Sequence, residues 1–162
     1  MRTAICPGSF DPITLGHLDI ISRASKMFDK LVVAVLDNSS KQPSFTLDER
    51  VALIKKATLG INNIEIMSFS GLLVDFAKSI NASIIVKGLR AVSDFEYEFQ
   101  MALINKELYP DMDTVFLTSD SKYMYLSSSV VKEIALHKGD IKAFIPNEIY
   151  SEVVKRLSGG LK

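Results

Sequence analysis

The chain has 162 residues, of which 48% are hydrophobic, and its formal net charge is zero. This length favours a single domain over residues 1–162 with a flexible tail at 157–162, and the lack of a basic excess argues against a protein that coats nucleic acid. The single cysteine, Cys6, excludes a disulfide within the chain, so we expect a cytoplasmic protein. No apolar run approaches the roughly 20 residues of a membrane span, so we expect no membrane partner.

Short apolar runs alternate with amphipathic stretches along the whole chain. Five alternations of this kind predict an α/β fold, a doubly wound, Rossmann-like, five-stranded parallel sheet with helices on both faces. In such sheets ligands bind beyond the carboxyl ends of the strands. We predict strands at 3–6, 30–38, 63–69, 82–88 and 113–119, and helices at 16–28, 46–57, 72–80, 93–108 and 127–139, with Pro146 in the first turn of a last helix.

The fourth predicted helix begins at Ser93 and carries apolar side chains at helical spacing. Phe95, Phe99, Ala102 and Leu103 form this stripe, and we expect it to pack in the core.

Glycines, serines and cations follow the predicted strands. Glycine lets a backbone approach a ligand closely, and the first turn of a helix presents free N–H groups that favour phosphate. These residues therefore predict a pocket for a phosphate-bearing ligand. They include Gly8, Ser9 and His17 after the first strand, Lys41 after the second, Lys87, Gly88 and Arg90 around the end of the fourth, and Ser127 to Ser129 before the fifth helix.

Three common site motifs are absent from the sequence, namely GxxxxGK[ST], GxGxxG after the first strand, and GxSxG. His, Cys and carboxylate residues show no metal-ligand spacing, so we expect no metal site made by protein side chains. What remains is Thr14–Leu15–Gly16–His17, which resembles the signature of the HxGH-type nucleotidyltransferases with Thr14 in place of the first histidine.

The resemblance extends to four segments and covers nearly the whole chain. "PGSFDPITLGHLDI" (7–20), "FTLDERVAL" (45–53), "KGLRAVSDFEYEFQMALIN" (87–105) and "SSSVVKEIA" (127–135) are similar to the bacterial phosphopantetheine adenylyltransferases. That resemblance implies transfer of AMP from ATP to 4′-phosphopantetheine, which gives dephospho-CoA and pyrophosphate in the penultimate step of coenzyme A synthesis. It also implies a direct in-line attack without a covalent enzyme intermediate.

The resemblance assigns roles to individual residues. His17 would contact the α-phosphate of ATP, Ser9 would orient the attacking phosphate, Lys41 would hold it, and Arg90 would bind the ATP phosphates. The ATP-binding set would be Gly8, Ser9, Phe10, His17, Gly88, Arg90, Glu98, Tyr123, Met124, Tyr125, Leu126, Ser127, Ser128 and Ser129. The acceptor would contact Ser9, Lys41, Leu72, Leu73, Lys87, Asn105 and Glu133.

The same resemblance implies partners. Mg²⁺ would arrive with ATP, CoA would act as a feedback inhibitor, and the chain would assemble as a homo-oligomer, typically a hexamer. Three positions depart from the family pattern: Ser9 replaces a threonine, Lys87 replaces an arginine and thereby loses a bidentate fork, and Gly71 replaces an acidic residue.

Plainer interpretations remain open for single residues. His17 could cap or pack its helix, Lys41 could be a solvated surface lysine, the serine run could be an N-cap, and His137 complements a helix C-terminus. The alternative functions are transfer to another phosphate acceptor, such as nicotinamide mononucleotide or glycerol 3-phosphate, and a catalytically silent nucleotide-binding relative.

Overall fold

The computed structural model describes residues 2–37 and 42–159, without the side chains of residues 92 and 93. Five strands alternate with five helices in this part of the chain, and a sixth helix follows. In chain order they are β1 (Thr3–Gly8), α1 (Leu15–Ser25), β2 (Lys30–Leu36), α2 (Leu47–Ala57), β3 (Ile64–Phe69), α3 (Leu73–Ser79), β4 (Ile84–Leu89), α4 (Val92–Leu108), β5 (Asp113–Thr118), α5 (Ser128–Leu136) and α6 (Tyr150–Ser158), with short 3₁₀ turns at Ser121–Tyr123 and Asn147–Ile149.

The strands form one parallel sheet in the order β3–β2–β1–β4–β5. The predicted doubly wound five-stranded fold is therefore confirmed. The chain winds outward from β1 to β3 and then returns to the centre to add β4 and β5 on the other side. This reversal places a topological switch point between β1 and β4, which is where open α/β sheets bind their ligands.

The two central strands separate toward their carboxyl ends. The ladder between β1 and β4 consists of two residue pairs, Ala4 with Ile84 and Ile5 with Ile85, whereas each of the other three strand pairs has six. Beyond Ile5 and Ile85 the backbones no longer pair, and a crevice opens at the carboxyl edge of the sheet.

Helices cover both faces of the sheet. Side chains alternate along β2, so Leu31, Val33 and Val35 pack with α1, α2, α5 and α6, while Val32 and Ala34 pack on the opposite face. On that second face lies a smaller cluster that includes Phe69, Ala77 of α3 and Met112. Burial on both faces explains why the central strands have nearly continuous apolar sequences.

Helix α4 differs from the prediction. Phe95, Phe99 and Leu103 are 41%, 45% and 56% exposed. The prediction that this stripe packs in the core of the chain is therefore wrong. The helix also begins at Val92, with Ala91 as the residue before it, rather than at Ser93.

The chain end was also predicted only in part. Pro146 precedes the 3₁₀ turn and not α6 itself, which begins at Tyr150. Helix α6 includes Leu157 and Ser158, the first two residues of the predicted tail; residues 160–162 lie outside the described residues.

Candidate active site

A cleft of about 550 Å³ opens at the crevice between β1 and β4. Its walls come from the ends of these strands, the first turns of α1 and α4, and the segment that leads into α5. Thirteen of the residues that the sequence singled out line it: Gly8, Ser9, Phe10, His17, Lys87, Gly88, Arg90, Glu98, Tyr123, Leu126, Ser127, Ser128 and Ser129.

Two glycines permit the close packing of the cleft walls. A Cβ at Gly8 would lie 2.9 Å from the Cζ atom of Phe10, and a Cβ at Gly88 would lie 2.8 Å from Cγ1 of Ile20. Phe10 itself has a positive φ of 48°, and its buried ring meets His17 edge to face at 5.2 Å between ring centroids. The loop after β1 thus turns back on itself and packs Phe10 against the imidazole.

His17 is the third residue of α1 and takes part in the N-terminal cap of that helix. The Thr14 N–H donates to Nδ1 of His17 over 3.1 Å, and the His17 N–H donates to the Thr14 hydroxyl over 3.3 Å. This is a reciprocal capping box in which histidine replaces the usual glutamate or glutamine. Because Nδ1 accepts a backbone hydrogen bond, the proton of the neutral ring is on Nε2.

The environment of His17 keeps its ring neutral. Burial of the imidazole, followed by the positive charge of Arg90, lowers the pKa of His17 to about 4. A neutral imidazole with Nε2–H is a hydrogen-bond donor for a phosphate oxygen. Its helix N-terminus adds a positive dipole end, which also favours an anion here.

The protonation state of His17 is testable by imidazole NMR on the free protein. We expect its ring to stay in the neutral Nε2–H form from pH 8 to about 5 and to charge only near pH 4, because desolvation disfavours the cation. The imidazole signal that is missing from the spectrum of His17→Gln is the signal of His17. A titration midpoint near the ordinary histidine value would contradict the burial of the ring.

Both described cations of the cleft are paired with carboxylates of α4. Lys87 Nζ lies 3.1 Å from each carboxylate oxygen of Glu98. Arg90 Nε donates to Asp94 Oδ2 over 3.0 Å, and its Nη1 donates to the Leu126 carbonyl over 3.0 Å. These bonds fix the lysine and the guanidinium at the mouth of the cleft while leaving them partly exposed to an anionic ligand.

The serine run before α5 caps its helix and lines the cleft as well. Ser127 accepts a hydrogen bond from the Val130 N–H over 3.2 Å, so its N-cap interpretation is confirmed. The Ser128 hydroxyl donates to the Pro12 carbonyl over 2.7 Å, which ties α5 to the loop after β1. A second helix N-terminus is thereby held at the cleft.

Six predicted site residues do not line this cleft in the described structure, and a seventh, Lys41, lies outside the described residues. Met124 and Tyr125 are exposed beside it, and Leu72 and Leu73 stand at the start of α3, beyond the end of β3. Asn105 is buried on α4, and Glu133 lies on α5. Their roles in binding stay predictions.

Further residues line the cleft. Asp94 and Glu98, four residues apart on one helix, would by themselves be typical of a solvated face, but both line the cleft and Asp94 pairs with Arg90. Ser119, at the carboxyl end of the fifth predicted strand, lines the cleft as its position predicts, whereas Tyr97 lines it without any sequence signal that we can identify. Cys6 also lines it, but burial raises the pKa of its thiol to about 12, so it is a poor nucleophile.

Across residues 2–37 and 42–159, no group of three His, Cys, Asp or Glu side chains is arranged to hold a metal ion. In the same part of the chain, no helix combines the length and apolar character that crossing a membrane requires.

Comparison with known sequences identifies the family. The sequence model of the Cytidylyltransferase-like family matches residues 5–134. A phosphopantetheine adenylyltransferase of Clostridium botulinum (strain Alaska E43 / Type E3) is 59% identical over 156 residues, which cover 96% of this chain and 98% of the relative. The enzyme of that name from Caldanaerobacter subterraneus subsp. tengcongensis is 55% identical over 156 residues, with the same two coverages.

Solved structures support the fold. The nicotinic acid mononucleotide adenylyltransferase of Plasmodium falciparum, complexed with NaAD, superposes with a TM-score of 0.71 and 16% identity over 95% of each chain. A lipopolysaccharide core biosynthesis protein of Thermoplasma volcanium gives 0.55 and 24%, over 74% of this chain and 97% of that one. Because its sequence is 55–59% identical to these relatives over nearly the full length, this chain belongs to the phosphopantetheine adenylyltransferases, within the Cytidylyltransferase-like family.

Proposed function

We propose that the protein transfers the adenylyl group of ATP to 4′-phosphopantetheine and releases dephospho-CoA and pyrophosphate. The observation that carries this proposal is the near full-length identity to enzymes of that name. The cleft supports it with two helix N-termini, two described cations and one neutral histidine at the switch point of the sheet.

The chemistry requires positioning and charge stabilisation. An oxygen of the acceptor phosphate attacks the α-phosphorus of ATP, the bond from that phosphorus to the bridging oxygen breaks, and pyrophosphate leaves with the electron pair. The attacking phosphate is already ionised, so no general base is needed. His17 would donate its Nε2–H to an α-phosphate oxygen as charge develops, Arg90 would hold the leaving phosphates, and Ser9 and Lys87 would orient the acceptor.

Mg²⁺ enters this proposal as part of the substrate, bound to the ATP phosphates. Its preferred ligands are phosphate, carboxylate and water oxygens, and few of them need come from the protein. Asp94 and Glu98 are the described carboxylates that line the cleft, and both are engaged by cations. Coordination chiefly by ATP and water therefore fits the residues present.

The reaction is tested by pyrophosphate release from Mg²⁺-ATP with three acceptors, namely 4′-phosphopantetheine, nicotinamide mononucleotide and glycerol 3-phosphate, followed by mass analysis of the product. We expect release only with the first acceptor and a product of the mass of dephospho-CoA. Release with another acceptor would reassign the substrate. No release with any acceptor, despite ATP binding, would point to a silent nucleotide-binding protein.

The exposed face of α4 supports self-association. Phe95 and Phe99 stack on each other at 5.5 Å between centroids, and Phe95 meets Phe116 of β5 edge to face. Together with the exposed Leu103 and Ile104 they present an apolar surface of the kind that marks subunit contacts. We therefore propose a homo-oligomer, and take the hexamer from the family resemblance.

Assembly is tested by substituting this face. We expect Leu103→Glu to give a monomer or smaller assembly in size-exclusion chromatography with light scattering, because a buried carboxylate without a partner is costly. Leu59→Glu, at an exposed position just after α2, is the matched control and should leave the mass unchanged. A hexamer-sized Leu103→Glu protein, or a monomeric wild type, would contradict the proposed face.

Two further expectations belong to the same proposal. CoA shares most of the acceptor's chemical structure, so we propose that it competes for the acceptor site and inhibits the enzyme. A reduced lone cysteine and the substrates named above fit a cytoplasmic enzyme. Inhibition by CoA that acceptor excess relieves would support the shared site.

A further inference from the structure

A buried arginine holds the backbone of Ser9 from behind. Arg50 of α2 is only 3% exposed, and its Nη1 donates to the Ser9 carbonyl over 2.8 Å and to the Leu36 carbonyl over 3.0 Å. The side chain of Ser9 is itself exposed and lines the cleft. Arg50 thus fixes the main chain of a cleft residue without lining the cleft.

A buried aspartate makes a second connection two residues further along the same loop. Asp11 is 7% exposed, and its two carboxylate oxygens accept the backbone N–H groups of Ser44 over 3.0 Å and Phe45 over 2.9 Å. Lys132 of α5 donates to the same carboxylate over 2.9 Å. One carboxylate therefore links the loop after β1, the chain just before α2, and α5.

Both connections meet at one stretch of chain. Leu36 ends β2, and Ser44 and Phe45 precede α2, so Arg50 and Asp11 hold the two sides of the β2–α2 connection against the Ser9 loop. Hydrogen bonds between buried polar side chains and backbone groups are strengthened by the low local dielectric, and they fix the relative positions of the segments they join. Neither Asp11 nor Arg50 has a role in the chemistry assigned above.

We propose that Asp11 and Arg50 are positioning residues on the acceptor side of the cleft. They hold the Ser9 loop, the end of β2 and residues 44–45 before α2 as one rigid unit. The kinetic effect expected from this rigid unit rests on the proposed function. Direct phosphate transfer depends on the alignment of two anions, and a displacement of about 1 Å can cost on the order of 10²-fold in rate. Loosening this unit should therefore impair use of the acceptor more than binding of ATP.

The kinetic test compares Asp11→Asn and Arg50→Met with the wild type. We expect kcat/KM for 4′-phosphopantetheine to fall at least about 10-fold, while KM for ATP changes less than about 2-fold. Arg50→Lys should recover part of the loss, because both observed bonds come from one donor group and Nε has no partner among the described residues. Equal losses for both substrates, or Arg50→Lys no better than Arg50→Met, would overturn positioning.

The matched control is Asn63→Ala, just before β3, at the amino ends of the strands and away from the cleft. Asn63 Nδ2 also donates to backbone carbonyls, those of Ser25 over 2.7 Å, Phe28 over 2.9 Å and Asp29 over 3.5 Å. Its loss should lower the melting temperature by a similar amount and leave both kinetic constants unchanged. An acceptor defect in Asn63→Ala as large as in Asp11→Asn would mean that any destabilisation produces it, and would refute the proposal.

Amide hydrogen exchange separates this proposal from the proposed function. In Asp11→Asn we expect faster exchange at residues 42–46, because the amide keeps one acceptor oxygen and one of the Ser44 and Phe45 N–H groups then faces an NH₂ group. In Arg50→Met we expect faster exchange at residues 8–14. Asn63→Ala should change neither segment. The two proposals fail separately. If the wild type uses none of the three acceptors, the proposed function is refuted. If hydrogen exchange is unchanged in both Asp11→Asn and Arg50→Met, the rigid unit is refuted, whatever the acceptor assay shows.

Discussion

Replacing His17 with alanine is expected to lower kcat for pyrophosphate release by at least about 10²-fold, the usual loss for one transition-state hydrogen-bond donor, while ATP binding falls much less. The reason is the neutral Nε2–H form of the ring, which its Thr14 hydrogen bond selects and its burial preserves. Steady-state kinetics and ATP titration calorimetry measure the two effects separately. Unchanged turnover would remove His17 from the chemistry.

Two further substitutions separate the cap of α1 from catalysis. His17→Glu supplies the residue that capping boxes normally use, so it should keep the melting temperature, but a carboxylate cannot donate to phosphate and activity should be lost. His17→Gln keeps the cap and offers an amide N–H, so its kcat should exceed that of His17→Glu. If His17→Glu were as active as the wild type, the histidine would act only as a cap.

Arg90→Ala is expected to raise KM for ATP by roughly 10- to 100-fold, since hydrogen bonds to charged groups contribute on the order of 1.5–3 kcal/mol each. The guanidinium lies between Asp94 and the Leu126 carbonyl, at the mouth of the cleft. Initial rates at varied ATP and fixed acceptor give the constant.

Arg23→Ala is a closely matched control for that change. Arg23 also pairs with an aspartate four residues away, Asp19, and donates to one backbone carbonyl, that of Thr118. It does not line the cleft, so its loss should leave KM for ATP unchanged. Equal KM values for the two variants would contradict contact between Arg90 and the triphosphate.

The location of the cleft could be predicted from the sequence because it follows from topology. Alternating strands and helices predict a parallel sheet, and a parallel sheet brings Gly8, His17 and Gly88 to one edge. The separation of β1 from β4 beyond two residue pairs could not be predicted, since it depends on how far each strand twists in the finished sheet.

Contacts between elements account for most of what the sequence did not show. Arg90 and Asp94 are only four residues apart and could have been paired in advance, but Lys87 and Glu98 are eleven residues apart and meet only because α4 packs beside β4. The Asp11 and Arg50 bonds likewise join residues 14 to 121 positions apart.

Helix α4 shows a limit of periodicity. Phe95, Phe99 and Leu103 have the spacing of a core stripe, yet they are exposed. Periodicity reports that a helix has an apolar face, and it cannot tell whether that face packs on its own sheet or on another subunit.

Isotope exchange between labelled pyrophosphate and ATP tests most directly whether the adenylyl group passes straight from ATP to the acceptor phosphate. With enzyme, Mg²⁺, ATP and labelled pyrophosphate alone, we expect no label in ATP; adding 4′-phosphopantetheine should start the exchange. Exchange without an acceptor would contradict direct transfer, because it requires an adenylyl-enzyme. No exchange in the complete mixture would contradict the proposed reaction itself.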